Sequence, residues 1–577
     1  MSATSLTQRP INNSEQSILL QLARRVHDSA EPPIAEIEDV LQRYLGAGAI
    51  PTDNPTPRGK DIFAFQLVRP ILFFIQACEG HLKGDTKLDP CFLKAWPGIW
   101  RWLQFLDDQC CQKVKYGDTT KVQALLAISG IISSLSHSDV VRGKIASTPG
   151  IIAVIARHWV NEGRYPALET VFQVEGMPRP FTEALDALLE DSENTDWLPD
   201  VIASSGSAKA VAIHAIENLN AVLAENPPNF QAIYFHLSII RNLSRATARQ
   251  LSLAFLSQGM IPSTVKTLQW LGEQSASAAE DMVCECMHIC FSTLLDTMSL
   301  INGPSWVVQA FEAGILPAIL ISVPRMKHSP ESVSSECASL LSDILCQYLV
   351  YKSVIRSAAK AIKRVDRLKF DEGSGGPIWE AWNTFKTLAQ ERIALKKETD
   401  KKEIRQNRCH SIKCEGVIDL ENDELLACSG CFAANYCNRV CQKMDWPTHK
   451  SRCQDTQRQI REGINIPLSK GDVSFLRAII RHDIYDNAAA VEMLHTAIAH
   501  RHCSPSEFAF SMDYTQVPVE IKVILVGELH GIDVTCEVMI EEALQSGGRS
   551  MVVMSEVQRG SMYARLGHII NTPLSET

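Results

Sequence analysis

Between Cys409 and Cys453 the chain sets eight potential metal ligands in four pairs: Cys409 and Cys414, Cys428 and Cys431, Cys437 and Cys441, His449 and Cys453. Seven of the chain's 18 cysteines fall in this window. A structural zinc takes four thiolate or imidazole ligands in a closed tetrahedron, so eight ligands imply two ions per chain with no position left for water or substrate. Cys428-Ser-Gly-Cys431 reads as a tight turn in which Gly430 can enter the left-handed region, letting both sulfurs face one ion. The third and fourth pairs are spaced four apart, which on a helix puts both side chains on one face. A window of about 45 residues is too small to fold on apolar burial alone, so the metal must supply the folding free energy, on the order of 10 kcal/mol for one structural zinc. Spacing alone leaves open which pairs share an ion: neighbours in a linear arrangement, or first with third and second with fourth in an interleaved one.

The remaining chain is too long for one core and calls for roughly three or four domains or a repeat array. Residues 1–13 are polar and expected to be disordered. Over 14–388 apolar residues recur at helical spacing, as in "SILLQLARRV", "AIYFHLSIIRNL" and "ASLLSDILCQYL", with almost no strand-type alternation. Gly150, Gly259 and Gly314 are each followed by two large aliphatics, a small residue or proline, and an apolar helix. Such a glycine stops one helix and the next begins at once, giving helix–turn–helix units that bury their faces against their neighbours. The junctions resemble the armadillo/HEAT class. The glycines lie 109 and 55 residues apart, against about 40 to 47 in a regular array, so the expected fold is mainly α, with an irregular helical array.

Residues 389–408, including "KKETDKKEIRQNR", read as a charged, solvated linker helix. Beyond the cysteine window, 458–577 form a small α/β region. Two helices come first, then a strand in "VPVEIKVILV", a helix in "VTCEVMIEEALQ", a Gly547-Gly548 turn and a strand in "SMVVMSEV". "VCECMHIC" is set aside as a second metal site. On a helix, Cys284 and His288 face away from Cys286 and Cys290.

A net charge of -10 and a pI of 5.9 argue against nucleic acid as a partner. The N-terminus has no apolar core of a secretory signal, and the densest apolar run, "IFAFQLVRPILFFIQAC", is broken by Arg69 and Pro70 and reads as a buried helix, not a membrane span. The cysteines are therefore expected to be thiols and metal ligands of an intracellular protein of the cytoplasm or nucleus.

"CSGC", then "YC" with Cys441 four positions on, then "CQKMDWPTHKSRC" with Gln442, Trp446, His449, Lys450 and Cys453, resembles the MYND-type zinc finger. The likeness covers Cys409 to Cys453. It implies the interleaved arrangement: Cys409, Cys414, Cys437 and Cys441 on one zinc, Cys428, Cys431, His449 and Cys453 on the other. The family's usual first pair is separated by two residues, whereas "CHSIKC" has four, as in fungal-type members, and it places His410 where it could compete as a ligand. The resemblance further implies a module that captures short proline-containing peptides, with Gln442 and Trp446 lining the groove.

Some proteins with this finger are SET-domain lysine methyltransferases, whose Asn-His-Ser-Cys-x-Pro-Asn segment has only "RHCSPSE" as a counterpart here, without either asparagine. Glu528 and His530 at the end of the best strand are the other enzymatic candidates, read first as a polar loop. No phosphate-binding glycine motif occurs. The resulting expectation is a non-enzymatic adaptor for protein–protein interaction, with transcriptional regulation as one setting. The alternative is an enzyme, either with an active site in the α/β region or as a degenerate SET-type methyltransferase.

Overall fold

The computed structural model describes residues 13–573, except 30, 46–70, 84–85, 113–117, 166–178, 190–196, 246–248, 275–278, 301, 327–330, 369–375, 404–410, 412–413, 415–425, 429–433, 463–467, 503 and 531–533. Of the stretch 1–13 expected to be disordered, 1–12 lie outside the described residues and Asn13 opens the helix Asn13–Asp28; the first half of the apolar run, at 62–70, also lies outside them. The second half of that run opens the helix Ile71–Leu82. Among the described residues no single helix is long and apolar enough to cross a membrane.

The fold is mainly α, an irregular armadillo/HEAT-like array followed by the finger and a small four-stranded sheet. The chain packs as two compact units, 1–260 and 261–577. In the first, helices such as Ala208–Leu223, Phe230–Arg245 and Arg249–Ser257 pack on one another in succession. Gly150, Gly259 and Gly314 take φ of 84°, 85° and 97°, the left-handed region that lets one helix stop and the next start without a Cβ clash. Gly206 does the same at φ 81°. Cys286 and Cys290 are buried in the helix Glu280–Met298, whereas His288 pairs with Glu336 at 2.9 Å.

In the second unit the last helices are α1 (Lys352–Leu368), α2 (Pro377–Glu403), α3 (Arg439–Glu462), α4 (Lys470–Tyr485), α5 (Ala488–Arg501) and α6 (Val534–Gln545). The strands are β1 (Leu426–Ala427), β2 (Asn435–Tyr436), β3 (Phe508–Asp513), β4 (Glu520–Leu525), β5 (Ser550–Arg559) and β6 (Met562–Asn571). The C-terminal sheet has the order β4-β3-β5-β6. β3 and β5 are parallel and the outer pairs antiparallel. α6 crosses over between β4 and β5 and buries Cys536, Ile540 and Ala543 against Ala509, Val552 and Met554. Phe508, Phe510, Met551, Val553 and Val557 are buried on the other face.

That sheet is fastened to the preceding helices. The Gly560 N–H donates to the Tyr348 hydroxyl at 3.0 Å, and that hydroxyl donates to the Met298 carbonyl at 3.0 Å. Tyr351 donates to the Gln558 carbonyl at 2.6 Å, and Gln347 to the Thr515 carbonyl at 2.7 Å. α2 runs unbroken through the stretch expected to begin a linker at 389, with Ala389, Arg392 and Thr399 buried. Arg392 forks onto Asp483 of α4, with both N···O distances 2.8 Å, and Tyr514 donates to the same carboxylate at 3.0 Å. Lys352 holds the two ends of the finger segment. Its Nζ lies 3.2 Å from Asp400 near the end of α2, and its N–H donates to Asp472 at the start of α4 over 2.8 Å.

Candidate metal centre

The finger is built on two short elements and one long helix. β1 and β2 pair antiparallel, Leu426 opposite Tyr436, and the Cys428 N–H donates to the Ala434 carbonyl at 2.8 Å. This closes the hairpin under the second ligand pair. Asn438 then accepts from the N–H groups of Val440 and Cys441, both at 2.9 Å. It caps α3 between the two cysteines of the third pair and so starts the helix where Cys441 becomes its first inward residue.

Along α3, Cys441, Asp445, His449 and Cys453 recur every fourth residue and are all buried. They form one stripe, with Cys441 and His449 about 12 Å apart along the axis at 1.5 Å per residue. The stripe serves two separate clusters. Cys414, Cys437 and Cys441 bring their sulfurs within 4.8 Å of one another, and so do the ligand atoms of Cys428, His449 and Cys453. First pair thus meets third, and second meets fourth. Cys409, His410, Cys431 and Gly430 lie outside the described residues, so each cluster is seen with three of the four ligands that the resemblance assigns to it.

The donor sets fit zinc. Sulfurs at two corners of a tetrahedron with Zn–S near 2.3 Å stand about 3.8 Å apart. The Cys414–Cys437, Cys437–Cys441 and Cys428–Cys453 separations are 3.6, 3.3 and 3.7 Å. A disulfide would need about 2.05 Å, well short of these separations. Gln457, one turn beyond Cys453, donates to its sulfur at 3.4 Å, the kind of outer hydrogen bond that holds a ligating thiolate in place.

Between the clusters sits Tyr436, fully buried, its hydroxyl donating to Asp445 Oδ2 at 2.7 Å and its ring edge-on to His449 at 6.1 Å. Sequence reading missed Tyr436, Asn438, Asp445 and Gln457. Asparagine just before a helix and an aromatic beside Cys437 were the available signals. Tyr436→Phe leaves the Asp445 carboxylate buried without its donor, at a cost of about 1–2 kcal/mol. It is expected to weaken zinc retention in a chelator competition by roughly tenfold.

Trp446 stands 39 % exposed, its ring 6.0 Å from that of His449, and Gln442 is half-buried one turn before it. Both flank the ligand stripe. Val440 and Met444, at 63 % and 44 %, are exposed elsewhere on the same helix.

Two other groups of ligand-type side chains occur among the described residues. In one, Asp107 lies 2.8 Å from His158 and 2.6 Å from Arg157, with Cys111 nearby. In the other, Glu391 and Asp483 share Arg392, with His482 at 3.1 Å from Glu391. In the first, Arg157 and His158 already take both oxygens of Asp107, and in the second Arg392 takes both oxygens of Asp483, so neither group offers a metal ion three unengaged ligands. Glu528 and His530 are likewise engaged, Glu528 accepting from the Leu525 N–H at 3.1 Å and His530 pairing with Glu537 at 2.8 Å.

Residues 407–453 match the family model for the MYND finger. That module is a zinc-binding protein-interaction domain, and the interleaved clusters are its metal-binding core: residues 407–453 of the chain carry a MYND finger.

Proposed function

We propose that the protein is a non-enzymatic adaptor of the cytoplasm or nucleus, with transcriptional regulation as one setting, whose finger holds two zinc ions and captures short proline-containing peptides along Gln442 and Trp446. The observation that carries this reading is the division of labour between two aromatics. Tyr436 closes the small core and is fully buried, whereas Trp446 keeps 39 % of its surface open. An indole in that position offers a flat apolar face to a proline or leucine, and the carboxamide of Gln442 can satisfy the peptide's backbone. The helical array offers a second interaction surface. Against an enzymatic reading, the four ligands that the resemblance assigns to each zinc would leave no open position on the metal, and Glu528 and His530 are engaged in local hydrogen bonds.

The test is Trp446→Ala in the full chain with zinc content measured alongside. Retained zinc with a proline-rich ligand weakened by about 2 kcal/mol or more is the expected outcome for an aromatic anchor. If Trp446→Ala and Gln442→Ala both keep zinc and both bind every finger-dependent partner as wild type does, the groove is elsewhere.

A further inference from the structure

Where α2 meets the C-terminal α/β region the protein forms a solvent-open cavity of about 570 Å³, within the range of small-molecule sites. Its walls are apolar: Leu349, Val350 and Leu388 on the helical side, Val517, Pro518 and Val519 on the loop between β3 and β4. That loop is held in place by Gln347, which donates to the Thr515 carbonyl, and by Asp513, which accepts from the Thr515 N–H at 2.8 Å. The rim is polar, with Asn383, Thr384, Thr387 and Gln516 all exposed.

The floor is charged. Arg392 and Asp483, both almost wholly buried, line the cavity together with Tyr514 and the more open carboxylate of Glu391. Asp483 takes the guanidinium fork, and Glu391 lies 3.3 Å from the same guanidinium. His482 touches Glu391 and, through its other ring nitrogen, Asp486. Among the lining side chains two carboxylates, Glu391 and Asp483, thus face one guanidinium, Arg392, so the charge of the floor is negative. An incoming anion is repelled by Glu391. An incoming ammonium meets a carboxylate that Arg392 only partly neutralises.

We propose that this cavity binds a small amphipathic amine, its apolar body against Leu349, Leu388 and Pro518 and its ammonium on Glu391. A neutral analogue keeps the apolar contacts and loses the charge-assisted hydrogen bond, whose strength in a partly desolvated site corresponds to about tenfold in affinity or more. The site is separate from the finger and does not depend on the adaptor reading.

One alkyl chain with three heads tests it: decylamine, decanol and decanoate, each titrated into the full-length protein by calorimetry below its aggregation concentration. Decylamine is expected to bind at one site per chain, about tenfold more tightly than decanol, with decanoate weakest. Glu391→Gln should bring decylamine down to decanol and leave decanol unchanged. Leu388→Trp fills the cavity and should remove all three; Thr384→Trp, on the exposed rim, blocks the mouth without touching the core and guards against a folding defect in the first variant. No binding by any probe, equal binding of the three, or binding by Thr384→Trp as by wild type each overturns the proposal.

Discussion

Cys453→Ser in the full-length protein is expected to release more than one of the two zinc ions proposed for the finger, although it removes a ligand from only one cluster. The reason lies in α3. Its single buried stripe supplies Cys441 to one cluster and His449 and Cys453 to the other, and the hairpin under Cys428 has little apolar core beyond Tyr436 and Ala434. Each zinc stabilises the fold by on the order of 10 kcal/mol, more than so small a module can lose and still hold the helix that the second ion needs. Elemental analysis of the purified variant reads the result. Retention of one full ion would show that the clusters fold independently. Most of the helical circular dichroism should survive, because the helices of both units bury their apolar faces without any metal ligand.

Arg392→Met is expected to destabilise the second unit by about 3–5 kcal/mol, since it strands the buried Asp483 carboxylate with only the Tyr514 hydroxyl as partner. Replacing both partners, Arg392→Met with Asp483→Leu, should recover most of that loss, because a well-packed apolar pair avoids the desolvation cost of two ions. Chemical denaturation of the full chain followed by fluorescence compares the three proteins. A single variant within about 0.5 kcal/mol of wild type would show that solvent screens the pair, as for surface ion pairs.

The sequence made the helices legible because their apolar residues face one way at a fixed period, and the left-handed glycines at 150, 259 and 314 because a helix–turn–helix junction leaves little alternative. β4 and β5 were legible in outline. β3 was not: "FAFSMD" is buried on both faces, so it lacks the alternation that marks a half-exposed strand. β6 mixes exposed Met562 and Tyr563 with buried His568 and Ile570 and carries no clean period either.

The docking of α2 on α4 was invisible for another reason. Arg392 sits in a charged stretch and looks like one more solvated side chain, and nothing local announces a partner 91 residues away. At the finger the opposite holds. Metal geometry dictates ligand type and spacing, so the pairs could be read directly, while the Tyr436–Asp445 hydrogen bond depended on three-dimensional proximity.

The joint at Lys352 has an evolutionary side. The chain leaves α2 close to Asp400 and re-enters α4 close to Asp472, and one residue binds both. The finger is therefore a cassette plugged into a closed socket: exit and entry already adjoin, so lengthening, shortening or replacing the insert changes only a loop-closure entropy, about 0.6 kcal/mol for each doubling of length. A lineage could exchange one reader module for another at this socket and leave the register of α2, α4 and the sheet untouched.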